Sequence, residues 1–216
     1  NREEELLGQG FDFAYQKTIS DALLDAPHSA AEVVRQGEGW LAKGVHFLEN
    51  HDERRVAALL EPDPHRAAAT ALLTLPGMRL LYDGQLEGET IRTPVHLGRR
   101  QEEPVNEAVK SIYDRLLQVL PQSAVGRGEA RLIQAEAAWE ENITHGSYLL
   151  VLWQAAPDDF DLAVINLAPH RSQCYARLKV ANLATHDWQM VDRLGDERWD
   201  RNGEELQSRG LYLDTP

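Results

Sequence analysis

Phe47-Leu48-Glu49-Asn50-His51-Asp52-Glu53-Arg54-Arg55 (FLENHDERR) is the stretch on which the reading of this chain turns. The run before it, Val45-His46-Phe47-Leu48, has the look of a buried strand, and it stops abruptly in polar and ionisable residues. A strand that ends this way delivers a carboxylate and an imidazole to the rim of a sheet, where α/β barrels bind their substrates. By itself the stretch is also compatible with a capped strand end and a solvated loop. The flanking sequence separates the two.

Upstream, Phe11-Asp12-Phe13-Ala14-Tyr15 reads as a short aromatic strand. Lys17 to Ala26 carries Ile19, Leu23 and Leu24 at helical spacing. Pro27-His28-Ser29 breaks that helix, and Ser29 is the expected N-cap of a second one with Val33, Val34, Trp40 and Leu41 on its apolar side. Lys43-Gly44 stops it. Downstream, Pro62 and Pro64 mark a loop, and His65 to Leu75 is alanine-rich and helical until Pro76-Gly77. Met78 to Tyr82 is a further apolar strand, followed by a polar loop from Asp83 to about Glu103. Val105, Val109, Ile112, Leu116 and Leu120 then define an amphipathic helix that begins near Pro104. The alternation amounts to three strand–helix units with parallel strands. Three units cannot close a barrel, so two strand edges are left open.

Beyond that helix the pattern changes. Tyr148–Trp153, Phe160–Leu167, Cys174–Val180, Trp188–Leu194 and Leu211–Leu213 are short strand-like runs. Turn residues separate them, at 156–159, 168–169, 195–196 and 202–203. Regular short strands between turns predict an antiparallel β-sandwich. Pro, Ser and Gly cluster between Pro121 and Gly128, which puts the expected boundary at 123/124. The fold class is therefore α/β followed by all-β.

A second motif strengthens the first. Leu75-Pro76-Gly77-Met78-Arg79-Leu80-Leu81-Tyr82-Asp83-Gly84-Gln85 follows FLENHD by the interval of one loop and one helix. Pro94-Val95-His96-Leu97-Gly98-Arg99-Arg100 and the opening Gln9-Gly10-Phe11-Asp12-Phe13-Ala14-Tyr15-Gln16-Lys17 come in matching order. Together these segments resemble the α-amylase family of glycoside hydrolases. FLENHD is similar to its F-x-x-N-H-D box after the seventh barrel strand, and Pro76 to Gln85 to its eighth-strand segment. The opening residues look like the sixth strand, and the strands after Ser147 like the C-terminal β-sandwich. The resemblance implies residues 1–123 as the C-terminal part of a (β/α)8 TIM barrel. It implies residues 124–216 as the sandwich, cut short at its last strand.

For the site, the resemblance implies that Asp52 stabilises the transition state by holding sugar hydroxyls. His51 assists it, and Gln85 either contacts sugar or braces its loop. Retaining glycosidases need two carboxyl groups about 5–5.5 Å apart, a nucleophile and an acid/base. In the family these follow the fourth and fifth strands, and no G-x-R-x-D-like segment precedes Phe11. Glu3, Glu4 and Glu5 read as an exposed acidic helix turn. The nucleophile and acid/base are thus expected upstream of Asn1, and the 216-residue chain is expected to be inactive alone. Both ends of the sequence look cut, as in a piece of a longer protein whose missing barrel strands are its natural partner. Self-association of the piece is the corresponding hazard. Family members commonly hold a structural Ca²⁺, but no dedicated oxygen cluster for a metal stands out here. No cofactor is called for.

Composition closes off other classes. The net charge is −13 with no Lys/Arg cluster larger than a pair, which argues against nucleic acid and anionic membrane surfaces as partners. No apolar run approaches the ~18 residues of a membrane span. Cys174 is the only cysteine, so no intrachain disulfide forms, and a reducing, cytoplasmic setting is the expectation. His51-Asp52 also fits an HD-type metal phosphohydrolase drawing on His28, His46, His65 and His96, although the pair here follows a strand. Gly146-Ser147 lacks a nucleophile elbow. Two functional readings remain: part of an α-glucan-active glycosidase or transglycosylase, or a non-catalytic carbohydrate-binding or interaction module. Trp139, Trp153, Trp188 and Trp199 would stack on sugars if exposed and fill the sandwich core if not.

Overall fold

The computed structural model describes residues 2–216, and its contacts divide them into two compact units at Arg115/Leu116. In the first unit, helix α1 (Arg2–Gly8) places Glu3, Glu4 and Glu5 in its first turn, where the helix dipole favours negative charge. Strand β1 (Ala14–Tyr15) pairs in parallel with β2 (Gly44–His46), which pairs in parallel with β3 (Met78–Arg79). Helices α2 (Lys17–Asp25) and α3 (Pro27–Gln36), then a 3-10 turn over Glu38–Lys43, connect β1 to β2. Helix α4 (Pro62–Thr74) connects β2 to β3. The crossovers are those that parallel strands demand.

Local details depart from the sequence reading in instructive ways. Helix α3 starts at Pro27, whose missing N–H is no loss at a first helical position. Ser29 is therefore not a cap. It lies within the first turn and donates to the Ala26 carbonyl at 3.0 Å. Trp40 and Leu41 belong to the 3-10 turn, not to α3. Pro62 and Pro64 sit in the first turn of α4 rather than in a loop. Helix α5 (Glu107–Val119) begins after Asn106, not at Pro104; the Asn106 side chain accepts from Val109 N at 3.3 Å. The strands are short because the chain leaves the ladder early. Phe11 and Phe13 of the aromatic run lie outside β1 and are exposed, whereas Phe47 is buried edge-on against Tyr15.

Gly77 has φ +121°, and a Cβ there would collide with the backbone carbonyls of Leu41 and Gly44. Only glycine lets β3 start this close to β2. The His46 imidazole finishes the same junction. Its Nε2 lies 2.8 Å from the Pro76 carbonyl and 3.1 Å from that of Leu41. Burial holds this ring below its ordinary pKa, so the neutral form supplies the N–H.

The second unit is antiparallel. One sheet has the order β4 (Glu129–Ile133), β6 (Tyr148–Ala156), β7 (Asp159–Asn166). The other runs β11 (Leu211–Thr215), β8 (Ser172–Ala176), β5 (Ala135–Glu136). Strands β9 (Trp188–Val191) and β10 (Arg198–Arg201) form a separate hairpin, and α6 (Gly203–Ser208) precedes β11. Ile133, Tyr148, Leu150 and Leu152 from the first sheet and Cys174 and Ala176 from the second share one buried apolar cluster. The Tyr148 hydroxyl donates to the Ser172 carbonyl and lies 2.9 Å from Thr215 Oγ1, joining β6 to β8 and β11. Gln134 alone separates β4 from β5, so one extended segment changes sheets there. Trp153 is buried in β6 and Trp188 is half-buried against Phe160, whereas Trp139 and Trp199 are exposed.

Candidate functional site

After β2 the chain stays buried through Phe47, Leu48, Glu49 and Asn50 and then emerges. Ser20 of α2 donates to the Phe47 carbonyl at 2.5 Å and fixes the last buried turn of the strand end. Asn50 then folds the loop. Its Oδ1 accepts the N–H of Asp52 at 2.8 Å and of Glu53 at 3.2 Å, an Asx-type turn. The turn leaves the Asp52 side chain 71% exposed and that of His51 50% exposed, with His51 Nε2 3.2 Å from Asp52 Oδ2. Lys17, at the start of α2, reaches Glu53 at 2.9 Å and steadies the far side of the loop. Chemically, Asp52 is an accessible acceptor of hydroxyl donors, with an imidazole beside it.

Below the loop lies a buried charge network. Arg55 is 3% exposed and Glu49 fully buried, and the two meet at 2.7 Å. Arg55 also meets Glu89 at 2.9 Å, and the other Glu89 oxygen faces Arg100 at 3.2 Å. Burial pushes the Glu49 carboxyl above the ordinary range, against the opposing pull of the Val56 N–H and the Arg55 guanidinium. Sequence reading assigned no role to Glu49, Arg55 or Glu89. The available signal was a glutamate continuing an apolar run, with an arginine six residues on. Charged residues are almost never fully buried unless paired.

Gln85 lies at the turn after β3 and is 1% exposed. Its Oε1 accepts the Tyr82 N–H at 3.1 Å and its Nε2 donates to the Tyr113 hydroxyl at 2.7 Å. Both ends of the amide are thus used within the protein. Of the two roles considered for it, bracing fits this geometry and sugar contact does not. Tyr113 in turn lies 3.1 Å from His65 Nε2. Burial lowers the His65 pKa to about 4, so it is a neutral acceptor for that hydroxyl. Gly84 has φ +87°, and a Cβ there would collide with the Glu89 carboxylate.

His46 and His65, candidates for an HD-type metal site, are instead turned to backbone carbonyls and to Tyr113. Among the described residues no group of three or more His, Cys, Asp or Glu could hold a metal ion. None of the described helices is long and apolar enough to cross a membrane.

The arrangement of parallel strands with helical crossovers, followed by antiparallel sheets, is similar in fold to solved α-amylases. The noncanonic maltogenic α-amylase of Thermotoga neapolitana matches with TM-score 0.66 at 17% identity, over 93% of this chain and 49% of that one. The α-amylase of Geobacillus thermoleovorans, determined with acarbose, matches with TM-score 0.69 at 15% identity, over 95% and 46%. The debranching enzyme of Nostoc punctiforme, soaked with acarbose, matches with TM-score 0.61 at 12% identity, over 89% and 45%. The chain thus spans about half the length of the structures it matches, consistent with a C-terminal half. At these identities the likeness speaks for the fold. No protein-family model and no curated protein matches the sequence.

Proposed function

We propose that this chain is the C-terminal part of an α-amylase family glycosidase or transglycosylase acting on α-linked glucosides. On this reading β1, β2 and β3 are the last three strands of a (β/α)8 barrel, and the antiparallel unit is the sandwich domain. Asp52 is the transition-state-stabilising carboxylate and His51 its companion. The observation that carries the reading is Asp52 itself: an exposed carboxylate on a pinned loop just beyond the end of a parallel strand. That end of a barrel strand is where catalytic side chains gather.

Glycosidic cleavage passes through an oxocarbenium-like state, and hydrogen bonds to sugar hydroxyls strengthen as the ring flattens. A carboxylate that accepts those bonds binds the transition state better than the ground state, which is what accelerates the step. Asp52 would do this, with His51 as a second polar contact. The nucleophile and acid/base come, in this proposal, from sequence outside these 216 residues.

The test is Asp52→Asn in the full-length parent. The expected result is a kcat lower by about a hundredfold or more with little change in KM, the pattern of an interaction made in the transition state. Normal turnover in that variant would remove the role. The 216-residue chain by itself should leave maltotriose uncleaved. Robust hydrolysis by the purified chain would mean that the acid/base lies within it.

A further inference from the structure

The loop that carries Asp52 is closed on itself by charge. Glu49 Oε1 accepts from Arg55 Nη1 at 2.7 Å, and Glu49 Oε2 accepts from Val56 N at 2.6 Å. The same guanidinium leaves the loop in three further directions. Nη1 also donates to the Asp83 carbonyl at 2.7 Å, Nη2 to Glu89 at 2.9 Å and Nε to the Ile91 carbonyl at 3.4 Å. The Tyr82 ring lies against the guanidinium, 4.7 Å from ring centroid to Cζ. Asp52 lies within the segment so closed, where the Asn50 amide oxygen accepts the N–H groups of Asp52 and Glu53.

We infer that Arg55 is a positioning residue, which clasps the loop after β2 to the loop after β3 and so fixes Asp52 before any sugar arrives. The functional consequence rests on the reading of Asp52 given above; the clasp itself does not. Stability alone does not account for the arrangement, because a buried ion pair is commonly no better than an apolar replacement of equal volume. Geometry does. A guanidinium is a flat fork with five N–H donors in fixed directions, and here it spans two loops that belong to different strand–helix units. The charges are matched: Glu49 and Glu89 face Arg55 and Arg100. Pre-set geometry of this kind is what a transition-state contact requires, since misplacement by about 1 Å is costly.

The experiment is amide hydrogen exchange by NMR on the 216-residue chain, wild type against Arg55→Lys. Lysine keeps the charge but is a compact ammonium that cannot serve both glutamates, a carbonyl and a ring face together. The Asp52 and Glu53 amides, whose N–H groups meet Asn50, should exchange faster by about tenfold or more, a change of local opening. Ala69 and Leu72 amides, in buried α4, should change far less. Should Arg55→Lys not fold, Glu89→Gln weakens the Glu89 contacts to Arg55 and Arg100 while leaving Glu49 on Arg55, and the same two amides should accelerate by a smaller factor. Wild-type exchange at Asp52 and Glu53 in a folded variant overturns the clasp. So does acceleration that merely keeps step with Ala69 and Leu72, which is the signature of general destabilisation. Normal turnover after Asp52→Asn in the parent would remove the functional consequence and leave these exchange rates untouched, so the two failures are distinguishable.

Discussion

The first unit builds its sheet from strands of two or three residues, whereas β6 of the second unit runs for nine. The difference is one of what holds a strand in place. In the second unit, long antiparallel ladders and a shared apolar cluster suffice, so Leu150 and Leu152 are buried by their own sheets. In the first unit the ladder is too short for that. Side-chain polar contacts take over: Ser20 on Phe47, His46 on Pro76, Gln85 on Tyr82 and Arg55 across two loops. The same unit leaves Phe11, Phe13, Tyr15 and Met78 exposed around β1 and β3. Short strands held by polar side chains allow geometry to be set residue by residue, but they leave apolar edges for something else to cover.

The contrast is easiest to break at the level of single side chains. Leu150→Ala, in the cluster, should cost about 2–5 kcal/mol, the range for a buried leucine truncation. Phe13→Ala, beside β1 and about half exposed, should cost only about 1 kcal/mol. Urea denaturation of the two variants measures both. A Phe13 effect as large as that of Leu150 would show that Phe13 is buried after all.

The units should also differ in acid. His65 has a folded pKa of about 4, depressed by burial from 6.5. A depressed histidine contributes stability that is present above the unfolded value and is lost as pH falls toward the folded one. Between about pH 6.5 and 4 this amounts to about 3 kcal/mol, drawn from the first unit. Glu49, whose pKa is raised by burial, acts in the opposite sense and trims the loss. His65→Gln should flatten the acid limb when denaturation midpoints are compared at pH 7 and pH 4.5. Cys174 of the second unit, pushed up to about 12 by burial, weakens that unit only as pH rises above the ordinary thiol value near 9. An acid limb unchanged by His65→Gln would place the sensitivity elsewhere.

The smallest expected effect concerns the open edges. Phe13 and Met78 are about half exposed. Covering the remainder of one such side chain is worth roughly 1 kcal/mol. The isolated chain should therefore associate weakly with itself, and Phe13→Ser with Met78→Ser should weaken that association about tenfold or more in a light-scattering dilution series. A clean monomer that binds no hydrophobic dye would mean that the edges are already covered.

Much of this was legible in the sequence, and the gaps have physical causes. The three strand–helix units show in the alternation of apolar runs with helical spacing, and β6, β7, β8, β9 and β11 show as short runs between turns. Strand β10 did not, because Arg198-Trp199-Asp200-Arg201 carries one apolar side chain among three charged ones and lies on an exposed hairpin. Helix α6 was hidden by Asn202-Gly203, which reads as a turn. Asn202 is in fact the cap, accepting from Glu205 N at 3.0 Å. At the site, Asp52 and His51 could be singled out because polar residues follow an apolar run. The clasp could not be, since Glu49 and Arg55 find Glu89 only once two separate loops are brought together. Gln85 could be singled out as important, but not for which purpose, because an amide serves a ligand and a loop equally well until its burial is known.

The single residue between β4 and β5 has a consequence for how the second unit comes apart. Because one uninterrupted segment belongs to both sheets, with Gln134 as its corner, neither sheet can be peeled from the other as a separate leaf. Pulling β4 away from β6 drags β5 off β8 as well. The corner therefore couples two sheets that might otherwise melt in sequence. It favours a single cooperative opening in which half-unravelled forms, with one bare sheet face presented to other chains, are scarcely populated.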